Sequence, residues 1–471
     1  MRSGGARLTS LAAVILALLA TTAHAAPVHD VDVRNNWFDP PVVRVDPGDT
    51  IRWTLVEGVH TVTSEDGLFA SGSIDQPGET FEFVAPEDDV RLDYICSIHG
   101  ASMAGVIVVG EPPVPARPVE VRQVPSAAWP TLWGALDLID PASNYRIELA
   151  PGIHPSGGAE VGRHTRRIGN VNIPLPQAFD LAIVGVGASP DDVVIEEGLA
   201  FAQLSGFRLE RVTVRGGSFG AAVMLGSDVH RWSLTDVVLD APGRFGVRVW
   251  KGARLGSIRR VTVRDASVAG IAIEGCAACD VIIDEVSVAS SIQGIAALNA
   301  GSVIVRDSRL TENGVGVSIR TTTGEEAPAR GVWIVGNTIS SSIERAGGGQ
   351  MSATLDLPVG AGVWLHGAAF AEVRSNVVDD SSFGVVVTGP AFGHAVRDNV
   401  FSRSVEADLG WDGFGAAVCF AGNSSSDGTV TSMPPGAEAI YHCDLPATVG
   451  VPYPVVTELV LAWGLGLPKP I

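Results

Sequence analysis

A short β-rich triplet that keeps returning constrains this 471-residue chain more than any other feature. It reads Val212-Thr213-Val214, Val237-Val238-Leu239, Val261-Thr262-Val263, Val286-Ser287-Val288, Ser308-Arg309-Leu310, Asn337-Thr338-Ile339, Asn376-Val377-Val378 and Asn399-Val400-Phe401. Their starts lie 25, 24, 25, 22, 29, 39 and 23 residues apart. In most units a second run opens with glycine, at Gly246, Gly270, Gly294, Gly316, Gly362 and Gly384. Each unit holds two or three β runs and no helical period, which excludes leucine-rich and helical arrays. Strands this short at this period fit one coil of a parallel β-helix, where each coil buries its inward side chains on its neighbours. The segment 131–139, apolar at Leu132, Leu136 and Ile139, suits a helix capping the open end.

Ahead of the repeats, residues 27–110 contain short β-rich runs around Val31, Val43, Ile51, Phe81 and Ile107. Turn signals at Asp39-Pro40-Pro41, Asp46-Pro47-Gly48-Asp49 and Gln76-Pro77-Gly78 separate them, which suggests a small sandwich. Four prolines between 112 and 118 then make a stiff connector. At the start, Arg2 and Arg7 precede an apolar stretch over 8–20 and the small-x-small site Ala23-His24-Ala25. This is the pattern of a cleaved export leader. The expected organisation is a signal peptide over 1–25, a small β domain over 26–110 and a linker over 111–118. A β-helix over 119–445 and a capping segment over 446–471 complete it. The fold class is all-β, and the expected location is periplasmic or secreted.

Charge narrows the partners. Acidic residues outnumber Lys plus Arg by 52 to 32, and a net charge of −20 repels a phosphate backbone and excludes nucleic acid. No interior apolar run reaches the ~20 residues that span a bilayer, so the mature chain has no integral span.

The sharpest chemical motif is Cys96-Ser97-Ile98-His99-Gly100-Ala101-Ser102-Met103, with His60 lying 36 residues upstream of Cys96. A thiolate, two imidazoles and a weak axial thioether are the ligand set of a trigonal type 1 (blue) copper site. Soft sulfur favours the reduced ion, and imidazole suits both oxidation states. A Cys followed by His at +3 and Met at +7 arises by chance in roughly one such chain per thousand. Together with Asn36-Trp37-Phe38-Asp39-Pro40 and the run from Asp46 to Trp53, this stretch resembles the plastocyanin/azurin (cupredoxin) family. By matching position, His60, Cys96, His99 and Met103 would bind one copper. The spacing between His99 and Met103 departs from that family's usual ones, so the axial ligand is the less determined member. A one-electron carrier with a redox partner protein, or a copper-binding module, is the implied role.

The repeats, with Asn337, Asn376 and Asn399 at matching places, resemble the right-handed parallel β-helix superfamily. That group includes pectate-lyase-like enzymes and the periplasmic β-helix protein of nitrous-oxide-reductase maturation. Aligned asparagines stack as a hydrogen-bonded ladder or serve as ordinary turn formers. The fold hosts many activities. The readings carried forward are a scaffold for the copper domain, a polysaccharide lyase, epimerase or hydrolase, and an extracellular adhesin. A basic cluster of His154, Arg163, His164, Arg166 and Arg167 in the loop 152–177 suits an anionic polysaccharide. Asp408, Trp411 and Asp412 combine acid and aromatic groups as sugar sites do. The loops 321–330 and 341–360 also break the period, and His366 and His394 are expected at the rim. Four further cysteines in an exported chain predict two disulfides, Cys276 with Cys279 and Cys419 with Cys443.

Overall fold

The computed structural model describes residues 27–456 except for several short stretches, the longest being 111–117, 323–328, 343–359 and 444–449. The expected leader, most of the linker and most of the C-terminal segment therefore lie outside the described residues. Among the described residues no helix is long and apolar enough to cross a membrane.

The N-terminal unit is a sandwich of two four-stranded sheets. One orders Trp37–Asp39, Val28–Arg34, Thr50–Leu55 and Thr80–Val84; the other orders Val42–Val45, Gly100–Val109, Val90–Cys96 and Thr63–Ser64. Alternation decides which side chains meet between them. Ile51, Trp53 and Leu55 face inward from one sheet, and Leu92, Tyr94 and Cys96 from the other. Tyr94 packs edge-on to Trp53 and Phe38, with ring centroids 5.3 and 4.8 Å away. Gly105 must lack a side chain, since a Cβ there would sit 2.2 Å from the Tyr94 ring.

The first strand is pinned by a polar contact as well as by its ladder. His29 Nε2 donates to Asp49 Oδ2 at 2.7 Å, and the Asp46 N–H donates to the same oxygen at 3.1 Å. The His29 bond, the largest cause, holds the Asp49 carboxyl below the usual carboxylate range. A carboxyl depressed in the folded state adds stability above its unfolded pKa and loses it as pH falls through the folded one. Acid titration of the wild type should therefore show a loss of stability below about pH 4 that is smaller in His29→Ala. Identical acid profiles for the two proteins would refute this.

From Val119 onward the chain winds into a three-sided coil in which the stacked strands pair in parallel. One face stacks Phe207, Trp232, Gly256, Val281, Val303, Val332 and Ala371 in register. A second stacks Val212, Val237 and Val261, and a third stacks Val247, Ile271, Ile295, Val317, Val363, Val385 and Leu409. Between the first and second faces the backbone turns through one left-handed residue per coil. These are Arg211, Asp236, Arg260, Glu285, Asp307, Gly336, Ser375 and Asp398, with φ between +49° and +68°. At the glycines that open the third face, a Cβ would meet the next coil's carbonyl oxygen, at 2.5 Å for Gly246, Gly294 and Gly316. Close backbone approach, not flexibility, selects glycine there.

Both ends of the coil are covered. The helix Leu132–Asp137 lays Leu132, Ala135 and Leu136 over the first coil. Arg122 fixes it: Nη1 donates to the Ala135 carbonyl at 2.5 Å, while the guanidinium lies 4.2 and 4.5 Å from the rings of Trp129 and Tyr145. At the far end, Glu438 of the short helix Ala437–Ile440 accepts the Asn423 N–H at 3.1 Å. Cys276 pairs with Cys279 and Cys419 with Cys443, at Cα separations of 5.3 and 4.8 Å. The sandwich and the coil have separate apolar cores, one running from Val31 to Val109 and the other from Val124 to Tyr441.

Inside the coil the asparagines form a ladder. From Asn376 onward each side-chain oxygen accepts two bonds from the preceding coil. Asn376 Oδ1 takes the Asn337 N–H and Nδ2, both at 2.9 Å, and Asn399 Oδ1 takes the same pair from Asn376, both at 3.0 Å. Each Nδ2 also donates to a carbonyl, Val305, Ile334 and Val373 in turn. Asn423 extends the ladder by one coil, and Ser308 receives it at the other end through its N–H.

Candidate metal centre

Three of the four expected donors lie at one end of the sandwich. His60 follows a tight turn in which Gly58 has φ +84°, and a Cβ on Gly58 would sit 2.5 Å from His60 Nε2. Two backbone bonds to Ile74, of 3.0 and 2.8 Å, then fix the His60 backbone. Cys96 ends its strand where pairing with the neighbour skips from Ile95–Ala104 to Cys96–Gly100, which opens the loop between them. Met103 lies on the returning strand. His60 and Cys96 are fully buried and Met103 is 1% exposed. His99 falls outside the described residues.

Cys96 Sγ lies 3.8 Å from His60 Nδ1. Two donors at that separation could share one ion, and the gap is too wide for a strong direct hydrogen bond. Cys96 takes part in neither disulfide. A buried thiol and a buried imidazole this close fit a copper ion. Among the described residues there is no cluster of three His, Cys, Asp or Glu side chains, and the third such donor of this set is His99.

Thr61 supports the pair. Its N–H donates to Cys96 Sγ at 3.3 Å, and its hydroxyl accepts the Ser97 N–H at 2.7 Å and bonds the Ser97 hydroxyl at 2.9 Å. One residue therefore ties the His60 segment to the Cys96 loop. Sequence reading passed over Thr61 and Ser97; the signal was a hydroxyl residue directly after each of two expected ligands.

Residues 220–426 match the family model described as "Right handed beta helix region". The chain is 41% identical over 78 residues to a halocyanin of Natronomonas pharaonis, covering 15% of this chain and 47% of that protein. It thus spans about half the length of that relative. It is 28% identical over 142 residues to a putative pseudoazurin of Rhizobium leguminosarum bv. viciae, covering 27% of this chain and 93% of the relative. The chain joins a cupredoxin-like domain to a right-handed parallel β-helix. Among solved structures it is similar to a purple cupredoxin from Nitrosopumilus maritimus, at 24% identity and a TM-score of 0.16 over 17% of this chain and 99% of that one.

Of the groove candidates on the β-helix, His154, Asp408, Trp411 and Asp412 are buried. His154 is buried and its Nε2 donates to the Ala150 carbonyl at 2.7 Å, so it serves its own turn. Arg166 and Arg167 lie on an inserted hairpin, Thr165–Ile168 paired with Val171–Pro174. Arg163 and His164 fall outside the described residues, as do most of the loops 321–330 and 341–360. Asp408 and Asp412 turn inward instead of lining a groove. Asp408 Oδ2 accepts the Thr431 N–H and hydroxyl, and Asp412 accepts the N–H groups of Gly389 and Phe414. Trp411 is fully buried against Tyr441. The short polar stretch 407–413 is thus a coil with its acids spent on backbone N–H groups. Of the two expected rim histidines, His366 is half-buried beside Thr388. His394 is buried and accepts the Ala371 N–H at 3.0 Å, and burial pushes its pKa down to about 4.

Proposed function

We propose that the protein is an exported type 1 copper carrier whose N-terminal domain passes single electrons while the β-helix serves as its scaffold. The buried Cys96–His60 pair, 3.8 Å apart, with Met103 buried on the strand paired with that of Cys96, carries this reading. His60, Cys96, His99 and Met103 would hold the ion. Copper bound there supplies reversible one-electron chemistry. The chain's own residues keep the donors in place. The Ile74 bridge fixes His60, and Thr61 fixes the Cys96 loop and places an N–H on the sulfur. A rigid donor set of this kind keeps reorganisation small when an electron moves. Val59 and Ile98, next in sequence to the donor segments, are 49% and 53% exposed. Such exposed apolar groups suit a brief contact with a redox partner protein. Asp408 and Asp412, the two carboxylates singled out for a polysaccharide site, are buried and hydrogen-bonded.

Titration of the metal-free protein with Cu(II) tests the proposal. An intense visible band that saturates at one equivalent is expected, and a protein that stays colourless would overturn it. Thr61→Val keeps every donor and the N–H on sulfur but removes the hydroxyl that anchors Ser97. It should still bind copper, with affinity lowered by roughly 10- to 100-fold and a shifted potential. Wild-type affinity and potential in that variant would show the hydroxyl to be idle.

A further inference from the structure

An ion pair joins the N-terminal sandwich to the coil: Arg254 Nη1 lies 3.9 Å from Asp93 Oδ1. Asp93 belongs to the strand Val90–Cys96, where Leu92 and Tyr94 on either side of it face the sandwich core, so by alternation Asp93 faces out. Arg254 opens the coil strand Arg254–Arg264, next to Leu255, which turns a corner at φ +55°. Its side chain is only 18% exposed there. Burial holds the Tyr94 phenol well above its usual range, and the Arg254 charge acts against that shift, so this cation is felt within the sandwich. The coil holds Arg254 in place from several sides. The Arg254 N–H donates to the Val229 carbonyl at 2.9 Å, the Leu255 N–H donates to the Cys279 carbonyl at 2.8 Å, and Cys276 Sγ lies 3.4 Å from the Ala253 carbonyl. The Cys276–Cys279 disulfide thus braces the backbone on either side of the arginine.

We propose that this corner of the β-helix is a seat for the chain's own N-terminal sandwich, with Arg254 as the fixed half of the contact and Asp93 as the half that docks. Charge complementarity names the occupant, since the acid that meets the braced cation is carried by the sandwich. An exposed ion pair contributes little between free molecules. Here the linker over 111–118 is eight residues long, so the sandwich stays at high local concentration and a weak contact is populated. The orientation has a use. Asp93 precedes Cys96 by three residues, about 10 Å along a strand, so the seat fixes where the Cys96 end points. Val59 and Ile98 keep their exposure in this arrangement. The seated sandwich therefore presents its donor end in one defined direction, in place of the wide range a free tether would allow.

The seat does not depend on bound copper, so the metal-free full chain tests it apart from the copper reading. Nitrogen-15 relaxation reads the tumbling of the sandwich and of the coil separately. At low salt the two should tumble together in the wild type. Arg254→Glu, which sets two acids against each other, should raise the undocked fraction roughly fivefold to tenfold, read as faster tumbling of residues 28–109 alone. Asp93→Arg should do the same from the other side, and the two changes combined should restore the wild-type value. Salt at about 1 M should loosen the wild type in the same way. Amide shifts of Ile51 and Trp53, in the sandwich's other sheet, should stay in place in every variant, which separates undocking from unfolding. A sandwich that tumbles faster than the coil in the low-salt wild type overturns the proposal. So do single reversals that leave its tumbling unchanged, or a combined reversal no better than either alone.

Discussion

Cys96→Ser protein, mixed with one equivalent of Cu(II), is expected to stay colourless. The intense band of a type 1 site needs a thiolate on the metal, and an unionised hydroxyl at position 96 supplies neither the charge nor the softness. Affinity should fall by more than about 100-fold, beyond the losses seen when only an outer-shell partner is removed. Packing predicts a much smaller effect on the fold. Cys96 ends a strand, and the Thr61 N–H that donates to its sulfur can donate to a hydroxyl oxygen instead. Circular dichroism and the thermal midpoint of the metal-free variant should therefore stay close to the metal-free wild type. Copper-loaded wild type should gain stability by mass action, and the variant should not. Wild-type copper binding in Cys96→Ser would remove the thiolate from the site.

The second large effect is expected inside the β-helix. Asn376→Ala removes a fully buried amide whose loss leaves the Asn337 N–H, the Ile334 carbonyl and Asn399 Oδ1 short of partners. Each orphaned group costs about 1–3 kcal/mol, so a total of roughly 3–5 kcal/mol is expected once shared bonds are allowed for. Asn423→Ala breaks the same kind of bonds at the partly exposed end of the ladder, where water can replace them, and should cost about 1 kcal/mol. Because stacked coils unfold by neighbouring units, the clean measurement is amide hydrogen exchange coil by coil. Protection should collapse around residues 334–400 in Asn376→Ala and stay local in Asn423→Ala. Equal losses in the two variants would mean that the ladder does not act through buried, unreplaceable bonds.

The features most legible in the sequence were those the stack repeats. The triplet period fixed the coil, and the glycines opening the third face were visible because a Cβ there strikes the next coil at every turn. Asn337, Asn376 and Asn399 stood out because β-branched residues follow them. Asn423 did not, since Ser424 and Ser425 follow it and give no strand signal. Left-handed corners were invisible because Arg211, Glu285 and Asp398 share no chemistry beyond being held at positive φ. At the copper end, donor residues have a spacing that can be searched, whereas Thr61 acts partly through a backbone N–H that any residue but proline would offer. Asp408, Trp411 and Asp412 misled for the opposite reason. Acid and indole in a short run describe a sugar site and an inward-turned coil equally well, and only burial separates the two.

The in-register stack has a consequence for how such a chain can change. Every rung of the asparagine ladder binds the next rung and a carbonyl of the coil behind it, so the interior coils are interchangeable parts. The two lids are different: Arg122 under its helix at one end and Glu438 at the other each fit a single terminal coil. Whole coils cut between equivalent corners, such as Ser375 and Asp398, are thus the natural unit of gain or loss, while part of a coil would put every later side chain on the wrong face. Evolution can then lengthen or shorten this molecule as one adjusts a stack of identical washers between two unlike end plates.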